Sequence, residues 1–437
     1  MFETIVALAT PPLKSALAIV RLSGADCFEI VSKIFTKDIS NVKERGIHYG
    51  YIVDGDKQVD QVVLLTYVNP HSFTGENSVE IICHGSPLIA KQIISLCLRN
   101  GARMATNGEF SSRAYLNGKI DLVQAEAIND IINATTAEAK DLSMLSLKGD
   151  TSKIFKPIKD EIAEILSQIE VNIDYPEYED IEVVTKEKII DVCSKIVAKI
   201  DDLVKDTERN KLYRDGLNIA IVGKPNVGKS SLLNALTKSD KAIVTDIAGT
   251  TRDVVEGEFS LSGVPCRLFD TAGLRESTDI IEKIGIDKAL KTINEADLIL
   301  FVVDDTGMDK ELYKLVKDKK HIVVTNKADL LSDKAGDNLY ISAKENDIEP
   351  LLAKIKEVMN IGDVVLKPSF NNTRQLGLLK NVSLSLKTAI EDAKNNQPID
   401  LVSVSIMVAY NSSLDLIGEN NKNDLTDEIF SRFCVGK

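Results

Sequence analysis

The chain has 437 residues, 44% of them hydrophobic, and a formal net charge of −13. That length predicts two to three domains with sizeable cores, and the acidic excess argues against a protein that wraps a long nucleic acid by bulk electrostatics. Six cysteines, at 27, 83, 97, 193, 266 and 434, are scattered without a CxxC pair, which argues against a zinc knuckle or disulfide framework and fits a reducing cytoplasm. The N-terminus, Met1-Phe2-Glu3-Thr4-Ile5, lacks the basic and apolar regions of a signal peptide. No apolar run is read as approaching the roughly 20 residues of a membrane span, so a cytoplasmic chain with no membrane partner is expected.

Residues 1 to about 118 read as α+β. Strand-like runs cover Ile5–Ala9, Ala16–Leu22, His48–Val53, Val59–Val68 and Val79–Cys83, and Asp54-Gly55 is a hairpin signal. Leu88–Leu98 has helical spacing. Three polar turns, Arg21-Leu22-Ser23-Gly24, Thr74-Gly75-Glu76-Asn77 and His84-Gly85-Ser86, read either as ordinary turn chemistry or as parts of a site.

From residue 119 to 211 the pattern is helical. Ile154, Ile158, Ile162, Ile165, Leu166 and Ile169 form one amphipathic face, stopped by Asp174-Tyr175-Pro176. Ile189, Ile196, Ile200, Leu203 and Val204 form another. Helical spacing returns over 363–437, with Leu376, Leu379, Leu386, Ile390 and Ala393, an apolar stretch Ile399–Tyr410, and a polar loop Asn420–Asp424. Between the helical blocks, residues 212–362 alternate strand and helix, with strands expected at Asn218–Val222, Val264–Phe269, Leu298–Val303 and His321–Thr325. Such alternation gives a parallel sheet with helices on both faces. The simplest architecture is a helical domain with the α/β segment inserted into it.

The inserted segment opens on Gly223-Lys224-Pro225-Asn226-Val227-Gly228-Lys229-Ser230. An apolar strand before it and Ser231 to Leu236 as helix after it supply the context of a phosphate loop. Backbone N–H groups and a helix N-terminus there converge on a phosphate chain. Lys229 can reach the β- and γ-phosphates, and Ser230 can bind Mg²⁺.

Four further motifs follow in order. Gly249-Thr250-Thr251-Arg252-Asp253 offers a threonine hydroxyl to Mg²⁺. Asp270-Thr271-Ala272-Gly273 offers a carboxylate to the Mg²⁺ shell and a backbone N–H to the γ-phosphate. In Asn326-Lys327-Ala328-Asp329 the carboxylate can accept both donors on the Watson–Crick edge of guanine, a pair that adenine lacks. Ser342-Ala343-Lys344 supplies a backbone N–H to guanine O6. Together the five motifs specify a GTPase.

The segment resembles the translation-factor-like GTPases. Leu274 stands where Ras-like enzymes place a water-orienting glutamine, so another source of catalysis is needed. One candidate is a monovalent cation at the β/γ bridge, bound by Asn226 with carbonyls of Thr245 and Ile247; on chemistry alone Asn226 serves equally as a loop hydrogen bonder. The other is Glu282 in Ile281-Glu282-Lys283-Ile284-Gly285, which orients water or is a solvated helix charge.

Over essentially its whole length the chain resembles the bacterial and organellar tRNA-modification GTPase family MnmE, also called TrmE. The marks are Ala9-Thr10-Pro11-Pro12, Ile19-Val20-Arg21-Leu22-Ser23-Gly24, Ser72-Phe73-Thr74-Gly75-Glu76, His84-Gly85, Gly108-Glu109-Phe110, Arg113-Ala114-Tyr115-Leu116-Asn117-Gly118-Lys119, Ile173-Asp174-Tyr175-Pro176-Glu177 and the terminal Phe433-Cys434-Val435-Gly436-Lys437. The departures are Leu13-Lys14-Ser15-Ala16-Leu17, where the family has a glycine-rich turn, Val227, Val435 and the loop Asn420-Asn421-Lys422-Asn423.

The resemblance implies a multidomain α/β and α fold. It has an N-terminal α+β tetrahydrofolate-binding and dimerisation domain (1–118) and a helical domain (119–211 and 363–437). The helical domain is interrupted by an inserted Ras-like P-loop GTPase domain (212–362), a parallel or mixed sheet with helices on both faces. It implies potassium- and Mg²⁺-dependent GTP hydrolysis. Potassium would take Asn226, Thr245, Ile247 and Thr250, and Mg²⁺ would take Ser230 and Thr251. Glu282 would orient water, with Arg252, Asp253 and Arg275 supporting the switches. Val227, Gly228, Lys229, Ser231, Asp246, Ala248, Gly249, Asp270, Thr271, Ala272 and Gly273 complete the nucleotide contacts. 5-formyl- or methylene-tetrahydrofolate would bind Arg21, Glu80, Lys119 and Lys437. Its one-carbon unit would go to C5 of the tRNA wobble uridine as a carboxymethylaminomethyl or aminomethyl group. The implied assembly is a homodimer that joins an FAD-carrying MnmG/GidA-type protein in a heterotetramer. Cys434 is a chemical candidate or a structural contact.

Two rival functions stand beside this one. A ribosome-assembly GTPase switch would be a binding protein, but the GxxG clamp of a KH module is absent, no two glycines being three apart. A folate enzyme with a regulatory GTPase would act on a small molecule.

Overall fold

The computed structural model describes residues 3–175, 183–238, 257–270, 291–331, 339–362, 367–420 and 428–436. Two compact units emerge, Met1–Asn129 with Ser413–Lys437, and Asp130–Ser412.

The first unit is built on a six-stranded sheet of order β3-β4-β5-β2-β1-β6. Its strands are β1 (Ile5–Leu8), β2 (Leu17–Ser23), β3 (Gly46–Asp54), β4 (Lys57–Tyr67), β5 (Ser78–His84) and β6 (Arg103–Met104), and all pairings are antiparallel except β1 with β6. Side chains alternate between faces. Ala18, Val20, Leu22, Leu64, Val79, Ile81 and Cys83 are buried in one core with residues of α1 (Cys27–Ser32) and α2 (Pro87–Arg99). The other face carries Arg21, Glu80, Ile82 and Leu65 half-buried and Leu17, Ile47 and Tyr49 exposed.

Helices α3 (Glu109–Leu116) and α4 (Leu122–Asn133) follow. The C-terminal segment belongs to this unit: Phe430 and Phe433 share a buried cluster with Leu122 and Ala125, and Val435 bridges to Asn107.

In the second unit, α5 (Ala137–Leu147), α6 (Asp150–Asp174), α7 (Lys186–Asp215) and α11 (Thr373–Lys394) form the helical part. The expected faces appear with one correction. Ile158, Ile162, Ile165, Leu166 and Ile169 are buried on α6 and Ile189, Ile196 and Ile200 on α7, but Ile154 is exposed, and its neighbour Phe155, one helical step round, takes the inward place. Pro157 lies inside α6 near its start rather than ending it. Along α7 and α11, Asp201 accepts bonds from the Ser383 hydroxyl at 2.6 Å and the Lys387 ammonium at 2.9 Å.

Helix α7 passes at Gly216 straight into β7 (Leu217–Gly223), the centre of a second sheet of order β12-β11-β10-β7-β9-β8. The others are β8 (Gly257–Leu261), β9 (Val264–Asp270), β10 (Leu298–Val303), β11 (His321–Thr325) and β12 (Leu339–Tyr340). All pairings are parallel except the β8–β9 hairpin. The alternation is lost here because both faces are buried: Ile219, Ile221, Leu300 and Val302 lie in one cluster and Ala220, Val222, Ile299 and Phe301 in another. Among the described residues, helices α8 (Lys229–Lys238), α9 (Lys310–Val316) and α10 (Glu349–Met359) and the helical residues 291–295 accompany this sheet. The outgoing chain meets the ingoing helix where the Tyr213 hydroxyl donates to the Gly362 carbonyl at 3.1 Å.

One helix among the described residues is long and apolar on average, although no continuous apolar run in it approaches a membrane span. Helix α12 (Ile399–Ile417) has 19 residues, and an 18-residue window of mean hydropathy 1.2 that is 33% buried. By length and composition it reaches the size of a membrane span. Its serines and two aspartates interrupt every apolar run without lowering the average much, so a search for uninterrupted runs passes over it.

Candidate functional site

The second sheet places its loops for phosphate and base at one end, because β7, β10 and β11 are parallel neighbours. Ligands of such sheets bind outside the carboxyl ends of the strands. The turn after β7 runs through Asn226 at φ 63° and Gly228 at φ 95° into α8. A side chain at Gly228 would collide with the Asn326 amide, its Cβ lying 2.2 Å from Nδ2. The turn closes around its own lysine: the Lys229 ammonium donates to the carbonyls of Gly223 at 3.1 Å and Lys224 at 2.9 Å. The cationic end therefore lies within the turn at the start of a helix, a cradle that fits a phosphate chain. Ser230 and Ser231 are exposed on the first turn of α8. Asp270 ends β9 in register with Ile221, one strand from this turn.

Asn326 ties three loops together. Its amide nitrogen donates to the Val227 carbonyl at 2.9 Å, and its amide oxygen accepts from the Ala343 backbone N–H at 3.1 Å. Asn326, Val227 and Ala343 are all buried. The Ser342 hydroxyl donates to Asp329 Oδ1 at 2.6 Å, and this bond holds the exposed Asp329 carboxyl below the usual carboxylate range. Lys344 is exposed beside them. Phosphate loop, base loop and Ser342-Ala343-Lys344 thus form one constellation.

Thr245, Asp246, Ile247, Ala248, Gly249, Thr250, Thr251, Arg252, Asp253, Thr271, Ala272, Gly273, Arg275, Glu282 and Lys437 lie outside the described residues. Among the described residues no cluster of His, Cys, Asp or Glu forms a metal site. The proposed Mg²⁺ shell differs in kind, since it draws on hydroxyls, a single carboxylate and the phosphates themselves.

The first unit brings a second group together. Arg21 and Glu80 are paired across β2 and β5, and the guanidinium meets Glu80 Oε1 through Nη2 at 2.6 Å and Nε at 2.9 Å. Arg21 also donates to the Gly436 carbonyl at 3.2 Å, and its guanidinium lies 5.7 Å from the Phe110 ring centre and 6.0 Å from that of Phe73. Lys119, exposed, donates to the Pro70 carbonyl at 3.0 Å. Cys434 is exposed, and its carbonyl accepts from the Gly108 N–H at 3.4 Å.

Beneath this group lies a polar network that periodicity does not reveal. Arg113, 2% exposed, donates to Glu76 at 2.9 Å and Glu109 at 2.8 Å, and the Ser23 hydroxyl donates to Glu76 at 2.7 Å. Burial raises the Glu109 pKa, but the Arg103 and Arg113 guanidiniums and the Thr106 N–H outweigh it and hold the carboxyl at about 2. The Asn117 amide fixes the Thr74 carbonyl at 2.7 Å. The polar turn at 74–77 is therefore the visible end of a buried ionic support. Its sequence signal was the clustering of Glu109, Arg113 and Asn117 at four-residue steps on α3 and its C-cap.

Two family descriptions match the chain: "GTP-binding protein TrmE N-terminus" over residues 4–119 and "MnmE helical domain" over residues 122–434. Curated relatives match along its full length. A protein of Bacillus mycoides named "tRNA modification GTPase MnmE" is 41% identical over 456 positions, covering 100% of both chains. The Enterococcus faecalis protein of the same name is 40% identical over 458 positions, covering 100% of this chain and 98% of that one. Among solved structures, the G domain of the Thermotoga maritima FeoB iron transporter is 30% identical, covering 33% of this chain and 98% of that one, with a TM-score of 0.25.

Proposed function

The chain belongs to the MnmE family of tRNA modification GTPases, and from that premise we propose that it hydrolyses GTP with Mg²⁺ and potassium to drive modification of C5 of the tRNA wobble uridine. The observation that carries the GTPase part is Asn326, which locks the phosphate loop to both base-reading segments. Lys229 would neutralise the β- and γ-phosphates, and Asp329 would accept the guanine donors. Mg²⁺, held by Ser230 and Thr251, would supply charge neutralisation at the phosphates. Asn226, already in a left-handed conformation at the mouth of the loop, would hold potassium with Thr245, Ile247 and Thr250. Glu282 would orient the attacking water, with Arg252, Asp253 and Arg275 at the switches.

The tetrahydrofolate carrier would bind at Arg21, Glu80, Lys119 and Lys437. The ion pair, the neighbouring Phe73 and the docked C-terminal segment support this reading. The exposed Leu17, Ile47 and Tyr49 on the same sheet face support a homodimer, in which a second copy covers that apolar surface. FAD would come on an MnmG/GidA-type partner in a heterotetramer. The domain boundaries 1–118, 119–211, 212–362 and 363–437 remain our division of the chain by role. The described cysteines are unpaired, which suits the cytoplasm.

The test compares hydrolysis in potassium and in sodium at equal ionic strength, then analyses tRNA nucleosides from cells carrying wild-type protein or Lys229→Ala. Faster turnover in potassium and loss of C5-aminomethyl-type uridines in the variant are expected. Equal rates in the two salts would remove the potassium assignment, and unchanged nucleosides the modification role.

A further inference from the structure

Asp304 follows β10, the strand between those that lead to the phosphate loop and the base loop. It is 7% exposed. Its Oδ1 accepts from the Thr306 hydroxyl at 2.6 Å and the Thr306 N–H at 3.1 Å, and its Oδ2 accepts from the Lys327 ammonium at 2.7 Å. Burial raises the Asp304 pKa, yet the bonds from Lys327 and Thr306 outweigh it and hold the carboxyl below the usual range. Lys327 has φ 61°, a left-handed backbone that side chains other than glycine rarely adopt. Its neighbours Asn326 and Asp329 make the contacts that join the three loops.

A lysine in this conformation needs a tether, and the carboxylate at the end of the adjacent strand is one. With its ammonium fixed there, the side chain of Lys327 reaches from the end of β11 to the residue that follows β10, two residues before the base-reading Asp329. We propose that Asp304 is a positioning residue for guanine binding, holding Lys327 so that its stem walls the base pocket. The inference rests on reading residues 326–329 as the guanine-recognition loop.

The substitution Asp304→Asn keeps an oxygen for Thr306 and removes the anion opposite Lys327. In the full chain, release of a fluorescent GDP is expected to quicken by about ten-fold, the scale of one charge-assisted bond. KM for GTP rises more than kcat falls, and the melting temperature without nucleotide stays put. Adding Asp304→Asn to Lys327→Ala produces no further quickening, because the two act as a unit. Unchanged release in Asp304→Asn, or effects of the two substitutions that simply add, would overturn the proposal. Wild-type protein that binds GDP no better than ADP would instead overturn the reading of the loop itself.

Discussion

Arg21 and Glu80 face each other in register on β2 and β5, 2.6 Å apart, and the same arginine reaches the Gly436 carbonyl more than four hundred residues along the chain. The C-terminal segment thus forms one wall around an ion pair set by the sheet. Arg21→Ala is expected to weaken 5-formyltetrahydrofolate binding by about ten- to a hundred-fold, the value of one or two charge-assisted bonds. Titration calorimetry on the full chain checks this, with GTP hydrolysis as the control that should hold.

Gly436 adopts φ 91°, and a Cβ there would lie 2.7 Å from the Leu8 carbonyl oxygen. Gly436→Ala is expected to lift the segment off the sheet at a cost of about 1–2 kcal/mol. Faster tryptic removal of the terminal residues and weaker folate binding are the readouts. The effect should be smaller than that of Arg21→Ala, because the Glu80 contact survives.

Asn326→Ala leaves the buried Val227 carbonyl and Ala343 N–H without their partner. A loss of about 1–3 kcal/mol in stability is expected from the unsatisfied groups. GDP affinity should fall by at least about ten-fold. Thermal unfolding with and without GDP separates the two.

Glu109 makes the first unit sensitive to acid. Its pKa in the fold is about 2, below the 4.5 of a free glutamate, so its contribution is complete above pH 4.5 and is lost as pH falls from there through 2. With solvent screening allowed for, the contribution is about 1–2 kcal/mol. Glu109→Gln should lower stability at pH 7 by that amount and flatten the acid limb of the unfolding curve, followed by circular dichroism.

Strand and helix types were legible where burial was one-sided. In β5, Val79, Ile81 and Cys83 alternate with Glu80, Ile82 and His84, and α6 and α7 showed their three- and four-residue steps. The strands β8 and β12 were not anticipated, since β12 has two residues and β8 a mixed pattern of burial. Asn326, Lys229 and Asp329 were visible as motifs because loop chemistry is local. Arg113 and Asp304 each have one partner close in sequence, Glu109 and Thr306, but their pairing with Glu76 and Lys327 spans tens of residues and other elements, and nothing in local spacing announces those distant pairs.

The uninterrupted passage from α7 into β7 makes the helix a lever. Its 30 residues span about 45 Å, and the Tyr213 to Gly362 bond straps the returning chain to its base. A turn of about 10° in the nucleotide-binding sheet at that fulcrum would carry the far tip through about 8 Å. Small rearrangements at the phosphates are thereby magnified into travel on the scale of a side chain or more.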